Sequence, residues 1–365
     1  MQSKKRITKL AFRVHSWVGI LNTLLIIIFC VSGMILLFRK ELDRKFNPEL
    51  HYVQPAKQKV PIDRIFRNLI KTHPDLSQIA LHDFPEDKYD SYEFLLYKNQ
   101  REISKDYLYF VFVNPYNGKV LKEGYYSDFH ASFFRWLYTL HYALLLNRPG
   151  RFVTDVSAIF MLLSIISGII IYRKNIINVI SFKSRVNHKN THTINSFFHR
   201  ILGVWSIPFI AVVFFSGLWL NRELLNPFDW KMNIPNTSNC LVSANIDSVL
   251  QKANSIAGFH TIAINVPTIV GKDILVRGLF DDSGWLLGND KGSDINFDAK
   301  TGLLIQINKV NQKPFAQAFR YALYVLHTGK YGGIIIKILY IIGAIVPIYL
   351  SVSGVYLFMK RKKYY

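Results

Sequence analysis

HSWVGILNTLLIIIFCVSG at positions 15–33 returns in outline as HRILGVWSIPFIAVVFFSG at positions 199–217. Both stretches open on His, carry Gly at the fifth position, stay apolar for most of their length and close on Ser-Gly. Helix rises 1.5 Å per residue, so His15 and Gly33 stand about 27 Å apart, close to the thickness of a bilayer's hydrocarbon core. Each stretch therefore reads as a membrane span with His near one end and Ser-Gly near the other. The offset between the copies is 184 residues.

A second pair repeats the theme. Leu140-His141 precedes Ser167-Gly168, and Leu326-His327 precedes Ser353-Gly354, at an offset of 186. Between these anchors, Ile62-Asp63 matches Ile246-Asp247, and the turn Asn114–Gly118 matches Asp298–Gly302. Each of those turns ends in Gly and opens a strand. Such agreement marks a duplicated unit.

Four uncharged or nearly uncharged runs are long enough to cross a bilayer: 17–38, 152–172, 201–220 and 338–359. Asp155 is the one acidic residue among them, and Pro208 and Pro347 are expected to be tolerated. The first run is too long for a removable signal peptide. Between the runs, 61–73 and 246–255 read as helices, and 79–84, 92–97, 107–113, 260–266, 273–279 and 294–297 as strands.

Fifteen Lys and Arg, and no Asp or Glu, occupy the N-terminal segment, the loop between spans two and three, and the C-terminal tail. Basic residues in short segments stay cytoplasmic, so both termini are expected inside. Residues 1–38 are then a cytoplasmic N-terminus plus span one, and 39–151 a first outer domain with an interfacial helix at 133–146. Residues 152–172 form span two, 173–200 a basic cytoplasmic loop, 201–220 span three, 221–337 a second outer domain, and 338–365 span four with a basic tail. Most of the net charge of +21 thus faces the cytoplasm. It reads as a topology signal and an attraction to membrane lipid, not as a nucleic-acid surface. No GxGxxG, P-loop or GxSxG is present. Cys30 and Cys240 form no CxxCH or CxxC motif and are not expected to pair.

The order of elements resembles a known family. A helix and strand meander ending in a D/N-x-x-x-G turn is similar to the PepSY domain. Spans with H-x-x-x-G at one end, Leu-His before the next and repeated Ser-Gly resemble the PepSY-associated transmembrane family. The resemblance implies an α-helical membrane protein with four spans and two PepSY-like α+β outer domains in the bacterial inner membrane. It further implies kinship with reductases that release iron from ferric siderophores through two b-type haems.

A bis-histidine haem requires two neutral imidazoles facing across the iron. His15 and His199 fall at the cytoplasmic ends of spans one and three, and His141 and His327 on the outer side before spans two and four. Each pair occupies equivalent positions of the repeat. The expected axial ligands are therefore His15 with His199 and His141 with His327, with the glycines letting the porphyrin approach the backbone. His130 has Ala316 at its matching position and stays a reserve ligand that could share a helix face with His141. The remaining His51, His73, His82, His188, His192 and His260 are expected to be mostly solvated. Arg13, Arg148, Arg151, Arg200 and Lys330 lie near the ligand positions, either as propionate partners or as interfacial anchors. The expected activity is reduction of a ferric siderophore or other ferric chelate outside the membrane, fed by an unidentified donor. A quinone-linked di-haem oxidoreductase and a non-redox PepSY sensor or peptidase regulator stand as alternatives.

Overall fold

The structure is a computed structural model that describes residues 2–85, 87–99, 106–185, 190–222, 225, 242–269, 271–283 and 291–362. Cys240 and His188 lie outside the described residues.

Long apolar helices form one half of the molecule. α1 (Gln2–Leu36) runs without a break from the basic N-terminal segment into the first span, which puts His15 on the spanning helix itself. α6 (Arg148–Tyr172) and α12 (Gly333–Lys362) are likewise single helices, α12 with Pro347 inside it. The third span departs from the expected continuous helix. It consists of α8 (Thr191–Trp205) and α9 (Ile207–Asn221), bent by 63°. Pro208 stands in the first turn of α9, where its missing N–H costs nothing; inside one continuous helix it would break an i→i−4 bond and clash with the preceding turn. Among the described residues, three helices are thus long and apolar enough to cross a membrane, or four if the bent pair is one span. α1 packs along α6 and α12, α6 against α9, and α8 against α12. A short α7 (Ile176–Ile180) lies in the basic loop.

The strands form the other half. β1 (Leu76–Leu81), β2 (Tyr92–Lys98), β3 (Leu108–Val113) and β4 (Val120–Tyr125) come from the first repeat. β5 (Phe259–Pro267), β6 (Ile274–Phe280), β7 (Ser293–Phe297) and β8 (Leu304–Asn308) come from the second. The two units, expected as separate domains, share one antiparallel sheet of order β4-β3-β2-β1-β5-β6-β7-β8. β1 and β5 join them in the register Ile79↔Val266 and Leu81↔Ile264. A meander alone would leave an edge of unpaired backbone groups, and pairing two copies edge to edge satisfies both.

α4 (Ile62–Thr72) and α10 (Ile246–Asn254) cover one face of that sheet. Phe66, Phe94, Ile264 and Phe297 are among the buried residues of the shared core. The helices start by capping each other. The Asp247 carboxylate accepts from the Ile62 and Asp63 amides, each at 3.0 Å, and Asp63 accepts from the Ile246 amide at 3.0 Å. A carboxylate at a helix N-terminus satisfies orphan amides and opposes the dipole. Here each helix start receives a carboxylate from the other repeat, with Asn245 of its own repeat adding a second cap to α10.

Four short helices link sheet and spans: α2 (Arg39–Phe46), α3 (Pro48–His51), α5 (Phe133–Ala143) and α11 (Phe315–Thr328). α5 ends earlier than the expected 133–146. Leu144, Leu145 and Asn147 all have positive φ, and α6 starts at Arg148. Pro149 and Gly150 therefore stand in the first turn of α6 and open the span. At Gly150 only glycine fits, because a Cβ there would lie 1.7 Å from the Ala143 carbonyl oxygen.

Candidate functional site

The four predicted histidines share one environment. His15 Nδ1 lies 2.9 Å from the Ser164 carbonyl oxygen and 3.2 Å from Ser167 Oγ. His141 Nδ1 lies 2.9 Å from Ser32 Oγ, and His199 Nδ1 lies 2.8 Å from Ser353 Oγ. His327 Nδ1 lies 3.0 Å from the Val213 carbonyl oxygen and 3.1 Å from Ser216 Oγ. Each serine hydroxyl belongs to a Ser-Gly pair on a neighbouring helix.

These contacts fix the tautomer. A carbonyl oxygen can only accept, so Nδ1 of His15 and of His327 carries the proton. Each serine hydroxyl donates to a carbonyl of its own helix: Ser32 to Ile28, Ser167 to Leu163, Ser216 to Val213 and Ser353 to Leu350. That leaves Oγ as the acceptor for Nδ1–H. All four imidazoles are thus set up with a lone pair on Nε2, the arrangement that a metal-binding histidine takes when a partner holds its other nitrogen. Among the described residues no hydrogen bond falls on Nε2 of any of the four.

The glycines, expected to let a macrocycle approach, each lie against one of the four rings. They admit the imidazoles. A Cβ on Gly33 would lie 3.2 Å from His141 Cε1, on Gly168 3.4 Å from His15 Cε1, on Gly217 3.1 Å from His327 Cε1 and on Gly354 3.4 Å from His199 Cε1. Ser therefore orients each ring and Gly makes room for its edge.

The rings come together as the repeat suggests. The centroids of His15 and His199 are 6.2 Å apart with an interplanar angle of 89°, and those of His141 and His327 are also 6.2 Å apart, at 52°. Two imidazoles on opposite sides of one metal, each bound through a nitrogen about 2.0–2.1 Å away, have ring centres about 6.3 Å apart. The residues present fit an axially bound metal at both levels. No third His, Cys, Asp or Glu joins either pair among the described residues, so the equatorial donors would have to come from the cofactor itself. About 26 Å of helix separates His15 from Ser32, and buried Ile26, Cys30, Met161 and Ile210 fill the bundle between the two levels.

The other histidines correct the expectation of solvation in part. His82 is largely buried, and burial with the nearby Lys291 charge pulls its pKa down to about 4. His51 sits 3.1 Å from the Asp43 carboxylate, and His73 sits 3.2 Å from Glu123. His130 and His260 are exposed, as is His192. His130 lies in the turn before α5, so it shares no helix face with His141. Arg13 lines a cleft beside the start of α1. Arg151 donates to Asn221 Oδ1 at 3.1 Å, Arg200 lies over the Tyr172 ring at 5.7 Å and Lys330 over Tyr324 at 5.5 Å. Asp155 is fully buried in α6.

A residue that the sequence did not flag anchors the helix that carries His141. Arg135 on α5 is fully buried; it donates to Asp43 at 3.1 Å, to Glu93 at 2.5 Å and to Ser132 at 2.9 Å. Its guanidinium also lies 4.6 Å and 4.7 Å from the Phe110 and Phe112 ring centres on β3. Burial would raise the Asp43 carboxyl, but the His51 contact and the Arg135 charge hold it down at about 2. The clamp ties α5, and with it His141 less than two turns further on, to α2 and the sheet. Its only sequence signal is an Arg inside an apolar helix.

The family comparison agrees with the pattern in the sequence. The family described as the PepSY-associated TM region matches residues 12–361, nearly the whole chain. No curated protein matches it.

Proposed function

The chain belongs to the PepSY-associated transmembrane family, a multi-pass membrane protein, and on that footing we propose that it carries electrons across a bacterial inner membrane to a ferric chelate. In this reading the bent α8–α9 pair is one span, giving four, and both termini are cytoplasmic. The two PepSY-like units, joined in one sheet, stand on the outer side. His15 and His199 hold an inner b-type haem, and His141 and His327 an outer one. Haem supplies a one-electron redox centre at each level.

The observation that carries the reading is the repeated pair: two imidazoles with ring centres 6.2 Å apart at each of two levels, every one with its Nδ1 proton held by the neighbouring helix. Plain helix packing needs small residues but gives no reason for four histidines locked in one tautomer and matched by twos. The chain's own part is to orient the imidazoles, to keep water from them by burial and to separate the two levels with apolar side chains. The outer acceptor is a ferric siderophore or another ferric chelate, which takes one electron per iron and loses its grip on the ferrous ion. The donor, a cytoplasmic reductase or a membrane quinol, remains to be identified.

A visible spectrum of the purified protein tests this directly. The expected result is a Soret band and sharpened α and β bands on dithionite reduction, followed by reoxidation with a ferric siderophore and release of ferrous iron. His199→Ala should remove about half the haem and leave the outer centre intact. His327→Ala should remove the other half and stop chelate reduction. A colourless preparation from haem-replete cells refutes the redox reading and favours a sensor.

A further inference from the structure

A cleft of about 1140 Å³ opens at the end of the bundle where the three basic segments meet. Its cationic lining is Lys5, Lys9 and Arg13 from α1, Arg173 and Lys174 from the loop, and Arg361 from α12. Among the described residues no acidic side chain lines it. Two of the cations brace the walls: Arg173 donates to Thr8 Oγ1 at 3.1 Å, and Arg361 lies over the Phe12 ring at 4.3 Å. Lys5, Lys9, Arg13 and Lys174 remain to meet an anion, the last three of them nearer the membrane end of the cleft's charged lining or on its loop wall.

The membrane side of the cleft is apolar. Trp17 and Phe358 close it edge to face, with ring centres 6.0 Å apart. Trp17, Leu21 and Leu24 follow at helical spacing along one face of α1 and are 57%, 65% and 68% exposed. A ligand with a compact anionic head and a hydrocarbon body matches both halves, the head among the cations and the chains along the Trp17–Leu21–Leu24 stripe.

We propose that this cleft is a binding site for an anionic phospholipid, with the headgroup phosphate held by Lys9, Arg13 and Lys174. Basic recesses between spanning helices suit such headgroups, because charge attraction adds to the burial of acyl chain. A free phosphate would use the cations but leave the apolar stripe idle. The site does not depend on haem, so its test is separate from that of the redox reading.

The full chain is reconstituted in phosphatidylcholine vesicles containing phosphatidylglycerol with brominated acyl chains, and tryptophan emission is followed. The chain has six tryptophans, so the difference between the wild type and W17F isolates Trp17. Brominated phosphatidylglycerol should quench Trp17 at about a tenfold lower mole fraction than brominated phosphatidylcholine, and the combined Lys9→Gln, Arg13→Gln and Lys174→Gln variant should lose that preference. The charge-conserving Lys9→Arg, Arg13→Lys and Lys174→Arg variant should keep it, which separates loss of charge from misfolding. Equal quenching by the two lipids, or a preference unchanged in the Gln variant, overturns the site. Full recovery of emission on adding inorganic phosphate at the headgroup concentration overturns the lipid assignment in favour of an adventitious or soluble phosphate.

Discussion

Replacing Ser353 by alanine removes the one acceptor described for His199 Nδ1, at 2.8 Å. The buried N–H left behind costs about 1–3 kcal/mol. Loss of such a partner typically weakens a metal-bound histidine about 10- to 100-fold. Ser167→Ala touches the same inner pair from the other side with a different outcome. His15 Nδ1 keeps the Ser164 carbonyl oxygen at 2.9 Å and loses only the longer 3.2 Å contact, so haem affinity should change within about threefold, or some 0.5 kcal/mol. Both substitutions are made in a His327→Ala background, so that only the inner centre is followed. Transfer of haem to excess apomyoglobin, read at the Soret band, gives the dissociation rate. Ser353→Ala should release haem at least about threefold faster than Ser167→Ala. Equal rates, or the reverse order, would refute the claim that Nδ1 hydrogen bonding fixes these ligands.

Other perturbations follow from the same geometry. Gly217→Ala places a Cβ 3.1 Å from His327 Cε1; because two acceptors hold that ring, the reduced spectrum of the outer centre should shift, whereas Gly203→Ala, whose nearest neighbour is Leu350 Cδ2 at 3.9 Å, should be silent. Arg135→Met takes the buried guanidinium from Asp43 and Glu93, which keep His51 and Arg39 as partners, and should cost about 3 kcal/mol, the lower end for breaking a buried pair, read as a lower thermal midpoint. Asp43 drops from the ordinary 3.8 to about 2 on folding, so it contributes about 2 kcal/mol that is fully present above about pH 4 and lost as pH falls from there toward 2. An acid titration of stability should show that loss in the wild type and a smaller one in Arg135→Met, where the His51 and Asn47 contacts to Asp43 remain. Reporter fusions at Lys71 and Lys252 should behave as exported and one at Lys183 as cytoplasmic; a cytoplasmic signal at either of the first two inverts the topology.

The sequence by itself determined the duplication, the apolar runs and the identity of the paired histidines. Those features are written in spacing: a helix advances by a constant rise, so two segments with matched offsets must place His15 and His199, or His141 and His327, at matched depths. The helix and strand order of each repeat was legible for the same reason, since periodicity is a local property of the chain. What spacing does not encode is which group lies opposite which. The Ser-Gly pairs were visible four times over, yet that serine holds Nδ1 while glycine admits the ring follows only when the neighbouring helix is in place. The bend at Ser206 depended on whether the packed bundle would carry Pro208 inside a continuous helix, as it carries Pro347. Arg135 read as an oddity until Asp43 and Glu93, distant in sequence, enclosed it. The joining of β1 to β5 was equally hidden, because any strand edge can pair and only the assembled fold brings these two edges together.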